Sequence, residues 1–195
     1  MIHPFSDLRH ILRLDEPMAR HTSLRVGGTV RYFLEPTNSG EFHRIYQRCH
    51  QAGLRVYILG QGCNILVEDG SHLWAVISTA KLKRYRRTGN RIWADAGVNL
   101  HRLVTAAEDW GLGGLEPLAG IPGSLGGAVA MNAGGVAGCV ADHLVSAHLA
   151  FPGGLPREVG ADALGLGYRS SYLVEGRPCL LSATFELDVV PTERL

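Results

Sequence analysis

Two glycine-rich stretches, residues 59–66 and 111–135, have the residue types of a site where the backbone approaches a ligand closely. The first begins where a short apolar run, typical of a β-strand, meets Gly60 and Gly62. Backbone N–H groups in such a loop can point at an anion, because no Cβ blocks the approach. A tight turn between strands uses the same residues, and for this stretch alone the turn is the favoured interpretation. Ile65 occupies the third glycine position of the G-x-G-x-x-G fingerprint, which disfavours a Rossmann fold.

In the second stretch, nine of the 25 residues are glycine, without the polar residues of a flexible linker. Ser124 is predicted to cap a short helix that starts at Leu125, and a helix N-terminus beside glycines suits a pyrophosphate. Close packing of a helix on a sheet would explain the small residues equally well. Periodicity does not separate these two interpretations.

Apolar periodicity and turn residues predict the elements that must hold these stretches. The first 80 residues form a βαββ-type unit with strand 31–34, a helix from Asn38 or Ser39 to Gly53, strand 55–59, and short strands 65–67 and 74–77. Beyond residue 80 we expect a hairpin of 82–87 and 91–96, a helix from Asn99 to Gly111, and strands 143–151 and 179–190. The fold class is therefore α+β, with an N-terminal segment, 1–20, and two subdomains, 21–80 and 81–195.

Composition excludes several classes of protein. A hydrophobic share of 46% and a charged share of 19% over 195 residues exclude a disordered chain. The net charge of +1 gives no overall attraction to nucleic acid or membrane, and the basic run 81–87 is typical of an exposed hairpin strand. The four cysteines and nine histidines show no metal-binding spacing. Without a signal-peptide pattern or an apolar run of transmembrane length, we expect a cytoplasmic protein with reduced thiols and no bound metal.

Four motifs in one order resemble the bacterial UDP-N-acetylenolpyruvoylglucosamine reductase family, which has an FAD-binding fold of the vanillyl-alcohol-oxidase type. Residues 21–28 (HTSLRVGG) are similar to its opening N-T-F-x-x-G-G motif. Residues 59–66 (LGQGCNIL) are similar to L-G-x-G-S-N-x-L, with Cys63 where serine is usual. Residues 114–134 resemble the family's longest motif almost throughout, and residues 167–171 (GYRSS) resemble G-Y-R-x-S. The shared order of four motifs makes the resemblance specific.

The resemblance implies that FAD is held between the two subdomains. It assigns the pyrophosphate to the first glycine loop, namely Gly60, Gln61, Gly62, Cys63 and Asn64. It assigns the ribityl chain and the isoalloxazine ring to the second stretch, namely Ala119, Gly120, Gly123, Ser124, Gly126, Gly127 and Ala128.

The resemblance also implies a reaction in peptidoglycan biosynthesis, in which NADPH gives a hydride to the flavin and the flavin reduces an enolpyruvyl double bond. Arg169 matches the arginine that stabilises the developing enolate oxygen, a role that suits a fixed cationic fork. Tyr168 would line the same pocket and hydrogen-bond the small-molecule substrate. The alternative for Arg169 is a surface ion pair with Asp162 or Glu175.

The sequence departs from the family in more than the cysteine at position 63. The tyrosine that often follows the family's N-A-G-A has no counterpart around residues 135–138. The family's third domain, with its proton-donating serine and distal glutamate, has no counterpart in these residues, and general-acid help is typically worth roughly 10²–10⁴ in rate. Candidate substitute acids are Cys63, Ser170, Ser171, Tyr172, His143 and His148. For each of them, packing or backbone hydrogen bonding is the simpler role, and the two histidines would fall on opposite faces of a strand.

Three functions follow from these observations. The first is an FAD-dependent reductase of the cell-wall precursor, the second a shortened relative with different flavin redox chemistry, and the third a non-catalytic flavin-binding module. The match at Tyr168 and Arg169 favours an FAD-dependent oxidoreductase over the module. The sequence leaves the substrate, the electron donor and the oligomeric state open.

Overall fold

The computed structural model describes residues 4–174 and 178–190. Strands and helices are both present, and two larger β-sheets organise them, which confirms the predicted α+β class. The helices of these two ranges are all too short or too polar to cross a membrane.

The first sheet has four strands and is built around a helical crossover. Its elements in chain order are β1 (Leu12–Pro17), β2 (Thr29–Leu34), α1 (Ser39–Gln51), β3 (Val56–Leu59) and β4 (Ser71–Ser78). The order in the sheet is β1-β2-β4-β3, with β1 antiparallel to β2 and the other pairs parallel. Parallel strands need a long connection, and α1 supplies it between β2 and β3. The side chain of Asn38, rather than that of Ser39, caps α1 by accepting a hydrogen bond from the N–H of Glu41.

Two parts of this region differ from the sequence expectations. Residues 12–17 form edge strand β1 inside the N-terminal segment, where no strand was predicted. The predicted strand at 65–67 is wrong, because these residues form an extended loop outside any ladder. Leu66 is 76% exposed, so the apolar run does not mark a buried strand there.

The second sheet has five strands, all antiparallel. From residue 85 onward the elements are β5 (Tyr85–Thr88), β6 (Arg91–Asp95), α2 (Leu100–Asp109), β7 (Leu112–Gly113), α3 (Leu125–Ala130), β8 (Gly134–Gly135), β9 (Gly138–Cys139), β10 (Leu144–Ala150), β11 (Arg157–Gly160), β12 (Cys179–Glu186) and β13 (Asp188–Val189). The order is β11-β10-β12-β6-β5. The strand predicted over 179–190 is interrupted at the buried Leu187, after which β13 pairs with β7.

Three hydrophobic clusters hold the elements of the described residues, and two of them involve the five-stranded sheet. Helices α2 and α3 pack on one face of the five-stranded sheet, where Leu103, Val129 and Phe185 are fully buried. A second core joins the sheets, since Phe42 of α1 packs with Leu181 of β12. Full burial of one such side chain stabilises a fold by about 1.5–3 kcal/mol. The shared core therefore fixes the first sheet beside the second.

Candidate functional site

A cavity of about 290 Å³ lies where the parallel strands β2, β3 and β4 end. Crevices at the carboxyl ends of parallel strands are common ligand sites, because the loops that follow the strands diverge there. The strand ends and following loops contribute Glu35, Leu59, Gly60, Gln61, Ser78 and Ala80. The segment 20–23 completes the lining; it overlaps the motif at residues 21–28, to which the sequence assigned no site residue.

The loop at residues 60–64 has the chemistry of an anion site. The backbone N–H groups of Gln61, Gly62, Cys63 and Asn64 donate to no acceptor in the part of the chain that the structure describes. Gly62 is buried and left-handed, with φ of 67°, and a Cβ there would collide with the carbonyl oxygen of His21. Neighbouring N–H groups without partners form a concavity that favours negative charge. The loop therefore fits a pyrophosphate.

The two glycine-rich stretches meet beside this cavity. A Cβ on Gly60 would collide with Oγ of Ser124, so the two backbones approach as closely as glycine permits. Asn99 connects them from a third side, because its Nδ2 donates to Oε1 of Gln61 at 3.1 Å. The same Asn99 caps α2 and forms an isolated β-bridge with Ser124. Residues about 60 positions apart in the sequence thus line one place.

The second stretch presents open backbone beside this contact. Gly120 and Gly123 have left-handed φ values of 79° and 130°, with no atom within 4 Å of where a Cβ would lie. Within the described ranges their N–H groups donate to no acceptor. Ser124 caps α3, since its Oγ accepts from the N–H of Gly127 at 3.5 Å, and Ala119 and Gly127 are exposed. This surface suits the extended part of a ligand.

Two of the predicted cofactor residues contact protein instead. The N–H of Gly126 donates to the carbonyl of Ala96 at 2.7 Å, and a Cβ on Gly126 would lie 3.0 Å from that oxygen. Ala128 is buried in the core under the five-stranded sheet. Close packing of α3 on the sheet therefore explains both small residues.

Tyr168 and Arg169 lie on a tight turn closed by hydrogen bonds between Gly167 and Ser170 in both directions. Arg169 has φ of 52°, a strained conformation for a residue with a Cβ. Both side chains are exposed, Tyr168 by 93%. No described residue forms an ion pair with Arg169, Asp162 included, and Glu175 lies outside the described residues.

This turn is attached to the far end of α3. Nδ2 of Asn132 donates to the carbonyl of Gly167 at 3.1 Å, and Oγ of Ser171 donates to the carbonyl of Ala130 at 2.6 Å. Loop 60–64 meets the near end of α3 at Ser124. Six helical residues at about 1.5 Å each separate the two ends by about 9 Å. An extended ligand on loop 60–64 that follows α3 would thus reach toward Arg169.

The remaining candidate acids have other surroundings. Sγ of Cys63 contacts the carbonyl of Gln61 at 3.8 Å. His143 precedes β10, with Nδ1 3.2 Å from the carbonyl oxygen of Glu186. His148 lines a second depression of about 620 Å³ over one face of the five-stranded sheet, which Trp93 also lines. In the described residues, no cluster of three or more His, Cys, Asp and Glu side chains is suited to a metal ion.

Comparison with known sequences gives two results. The family described as FAD binding domain matches residues 30–160. UDP-N-acetylenolpyruvoylglucosamine reductase of Geobacter metallireducens is 40% identical over 191 residues, which are 97% of this chain and 63% of the relative. The enzyme of the same name from Streptococcus suis is 42% identical over 176 residues, 90% of this chain and 58% of the relative. The chain thus spans about three fifths of the length of these relatives.

Comparison with solved structures gives a similar result to the comparison with sequences. The crystal structure of UDP-N-acetylenolpyruvylglucosamine reductase from Thermus caldophilus matches with a TM-score of 0.79 at 32% identity, over 94% of this chain and 65% of that one. An alkyldihydroxyacetonephosphate synthase and a solvent-stable cholesterol oxidase, at 20% and 18% identity and TM-scores of 0.70, share the fold. The comparisons confirm the resemblance and the predicted fold type.

Proposed function

The chain belongs to the FAD binding domain family, and from this premise we propose that it is a flavin-dependent oxidoreductase of the UDP-N-acetylenolpyruvoylglucosamine reductase type. FAD is the cofactor, and when bound it supplies hydride transfer through its isoalloxazine ring. One observation carries the proposal: four backbone N–H groups of loop 60–64, which donate to no acceptor among the described residues, adjoin the open backbone of the second glycine stretch.

In this proposal, four backbone N–H groups of loop 60–64 hold the pyrophosphate as hydrogen-bond donors. Asn99 keeps the loop in place through Gln61. The exposed backbone at Gly120 and Gly123 receives the ribityl side, where a side chain would take up space. Gly126 and Ala128 contribute indirectly, because they allow α3 to lie close to the sheet.

Arg169 and Tyr168 carry the proposed substrate chemistry. The Arg169 guanidinium has no carboxylate partner among the described residues, so it is available to a substrate oxygen. A guanidinium cation beside a developing enolate oxygen stabilises the transition state. Tyr168 is a hydrogen-bond donor for the same substrate, whose class is a UDP-sugar with an enolpyruvyl group. NADPH is the proposed electron donor.

A flavin-binding module without reductase activity is the second candidate, and the exposure of Tyr168 favours it. The Tyr168 side chain is 93% exposed, so it does not line a closed pocket. A reductase needs a pocket that excludes water from its substrate. The two candidates differ in chemistry and share the cofactor.

The test begins with the apoprotein and flavin fluorescence. We expect FAD to bind more tightly than FMN, because only FAD has the pyrophosphate that loop 60–64 would hold. Anaerobic addition of NADPH should then bleach the bound flavin, and UDP-N-acetylenolpyruvoylglucosamine should restore its colour. No binding of FAD would refute both candidates, whereas FAD binding without bleaching or recovery would leave the module. The cytoplasmic location and the role in peptidoglycan biosynthesis remain predictions of the same proposal.

A further inference from the structure

Glu16, at the end of edge strand β1, is a buried carboxylate with 6% of its surface exposed. Nε2 of His21 lies 2.9 Å from its Oε1, and Nη1 of Arg13 donates to the same oxygen at 3.3 Å. Burial raises the pKa of Glu16, but hydrogen bonds from His21 and Arg13 outweigh burial and hold that pKa below its ordinary value. An ionised carboxylate only accepts hydrogen bonds, so the His21 ring must be the donor.

The ring of His21 is also fixed from its flat side. It stacks on Phe33 of β2, with ring centroids 4.1 Å apart and an angle of 25° between the planes. Phe33 is fully buried, so it provides a rigid support. Because the His21 ring is held both by a hydrogen bond and by stacking, the backbone of His21 has little conformational freedom.

That backbone lies directly against the anion loop. The carbonyl oxygen of His21 occupies the space that a Cβ on Gly62 would need, and the N–H of Ser23 donates to the carbonyl of Gly62 at 2.9 Å. Segment 20–23 lines the cavity, so its position determines the shape of the cavity beside Gly60 and Gln61.

We infer that Glu16 and His21 are positioning residues that hold segment 20–23 against loop 60–64 and thereby set the affinity of the site for FAD. The inference rests on the proposed FAD site. Neither side chain has to touch the cofactor, because Glu16 acts through His21, and His21 acts through the backbone that contacts Gly62 and continues to Ser23.

Three variants separate hydrogen bonding from stacking. His21→Phe keeps the stacked ring and removes the N–H donor, whereas His21→Gln keeps a side-chain N–H donor and removes the ring. Glu16→Gln removes the charge and keeps the shape. Asp7→Asn is the matched control, because it breaks an exposed ion pair with Arg48 of α1 in the same part of the chain.

Two measurements are made on each variant: amide hydrogen exchange at Ser23 in the apoprotein, and the dissociation constant for FAD. In His21→Phe and Glu16→Gln we expect faster Ser23 exchange and an FAD dissociation constant raised by about tenfold or more, as for loss of a charge-assisted hydrogen bond. His21→Gln should stay closer to the wild type, and Asp7→Asn should equal it.

Unchanged exchange and affinity in folded His21→Phe would overturn the inference, as would an equal loss in Asp7→Asn. If Glu16→Gln does not fold, the two His21 variants decide. A wild type that binds no FAD would overturn the inference together with the proposed function. Wild-type binding with equal affinities in all variants would overturn the inference alone.

Discussion

Asn132 donates a hydrogen bond of 3.1 Å from its side-chain amide to the carbonyl of Gly167, and so joins the end of α3 to the turn that carries Arg169. Its Oδ1 accepts from the N–H of Ala141 at 3.0 Å. Asn132 itself has φ of 41°, a left-handed conformation that asparagine tolerates better than most residues with a side chain. One side chain therefore connects three segments of the chain around the proposed active site.

Asn132→Ala is expected to destabilise the protein by about 2–3 kcal/mol, since it removes two hydrogen bonds and puts alanine, which tolerates a left-handed backbone less well than asparagine, at this φ. Urea unfolding measures the loss. Asn132→Gly should lose less, because glycine suits the same φ although it forms neither bond. Equal losses in the two variants would show that the backbone conformation at Asn132 contributes nothing.

Gly60→Ala should destabilise the protein by about 1–3 kcal/mol, because the new methyl group would meet Oγ of Ser124. Ser124→Ala removes that oxygen, so the double variant should recover part of the loss. The expected coupling free energy is about 1 kcal/mol in a double-mutant cycle. Additive effects of the two substitutions would contradict the contact.

Gly62→Ala provides the contrast to Gly60→Ala. Here a Cβ meets the backbone of His21, and the residue is left-handed, so no side-chain truncation can relieve the strain. We expect a loss of both stability and FAD binding, measured by urea unfolding and flavin fluorescence.

The sequence predicts the local structure of this fold better than its long-range contacts. The predicted helix caps are Asn38 or Ser39, Asn99 and Ser124. In the structure the side chains of Asn38, Asn99 and Ser124 each accept a hydrogen bond from a backbone N–H of the first turn. Such signals lie within three residues of one another, so a pattern can contain them. The sequence does not predict strand β1, because its stability comes from pairing with β2 and only Glu16 of its six residues is buried.

The site is harder to predict for the same reason. The first glycine loop resembles an ordinary turn until Ser124 and Asn99 are brought beside it by the tertiary fold. The contribution of His21 depends on Glu16 and on the approach of Gly62, which periodicity does not reveal. The apolar run at 65–67 predicts a short strand wrongly, because an apolar residue can lie in an exposed loop, as Leu66 does.

Arg169→Ala is expected to leave FAD binding unchanged and to slow turnover by about 10²–10³, the usual effect of removing one group that stabilises an oxyanion. Arg169→Asn should have the same effect on turnover while suiting the φ of 52° better than alanine does. Stopped-flow reoxidation of the reduced flavin by substrate measures the change. Unchanged reoxidation would assign Arg169 to the structure of the turn.

Acid should destabilise the protein through Glu16. Its pKa in the folded state lies below the ordinary glutamate value, despite burial, because of hydrogen bonds from His21 and Arg13. A depressed folded pKa contributes stability above the unfolded pKa, and that contribution is lost as pH falls through the folded pKa. We expect the free energy of unfolding to fall below about pH 4.5, with a shallower slope in Glu16→Gln. If the free energy of unfolding depended on pH in the same way in the wild type and in Glu16→Gln, Glu16 would not be the group responsible.

Thiol labelling tests where FAD binds without relying on turnover. Burial raises the pKa of Cys49 to about 12, and Cys179 is also buried, so both should react only after unfolding. Cys63 and Cys139 are half-buried and should react in the native apoprotein.

Saturating FAD should slow the labelling of Cys63 by about tenfold or more, because bound pyrophosphate would cover loop 60–64. Cys139, held near Asp142 outside the proposed site, is the internal control, and Cys63→Ser and Cys139→Ser assign the two rates. Equal labelling of Cys63 with and without FAD would place the cofactor elsewhere.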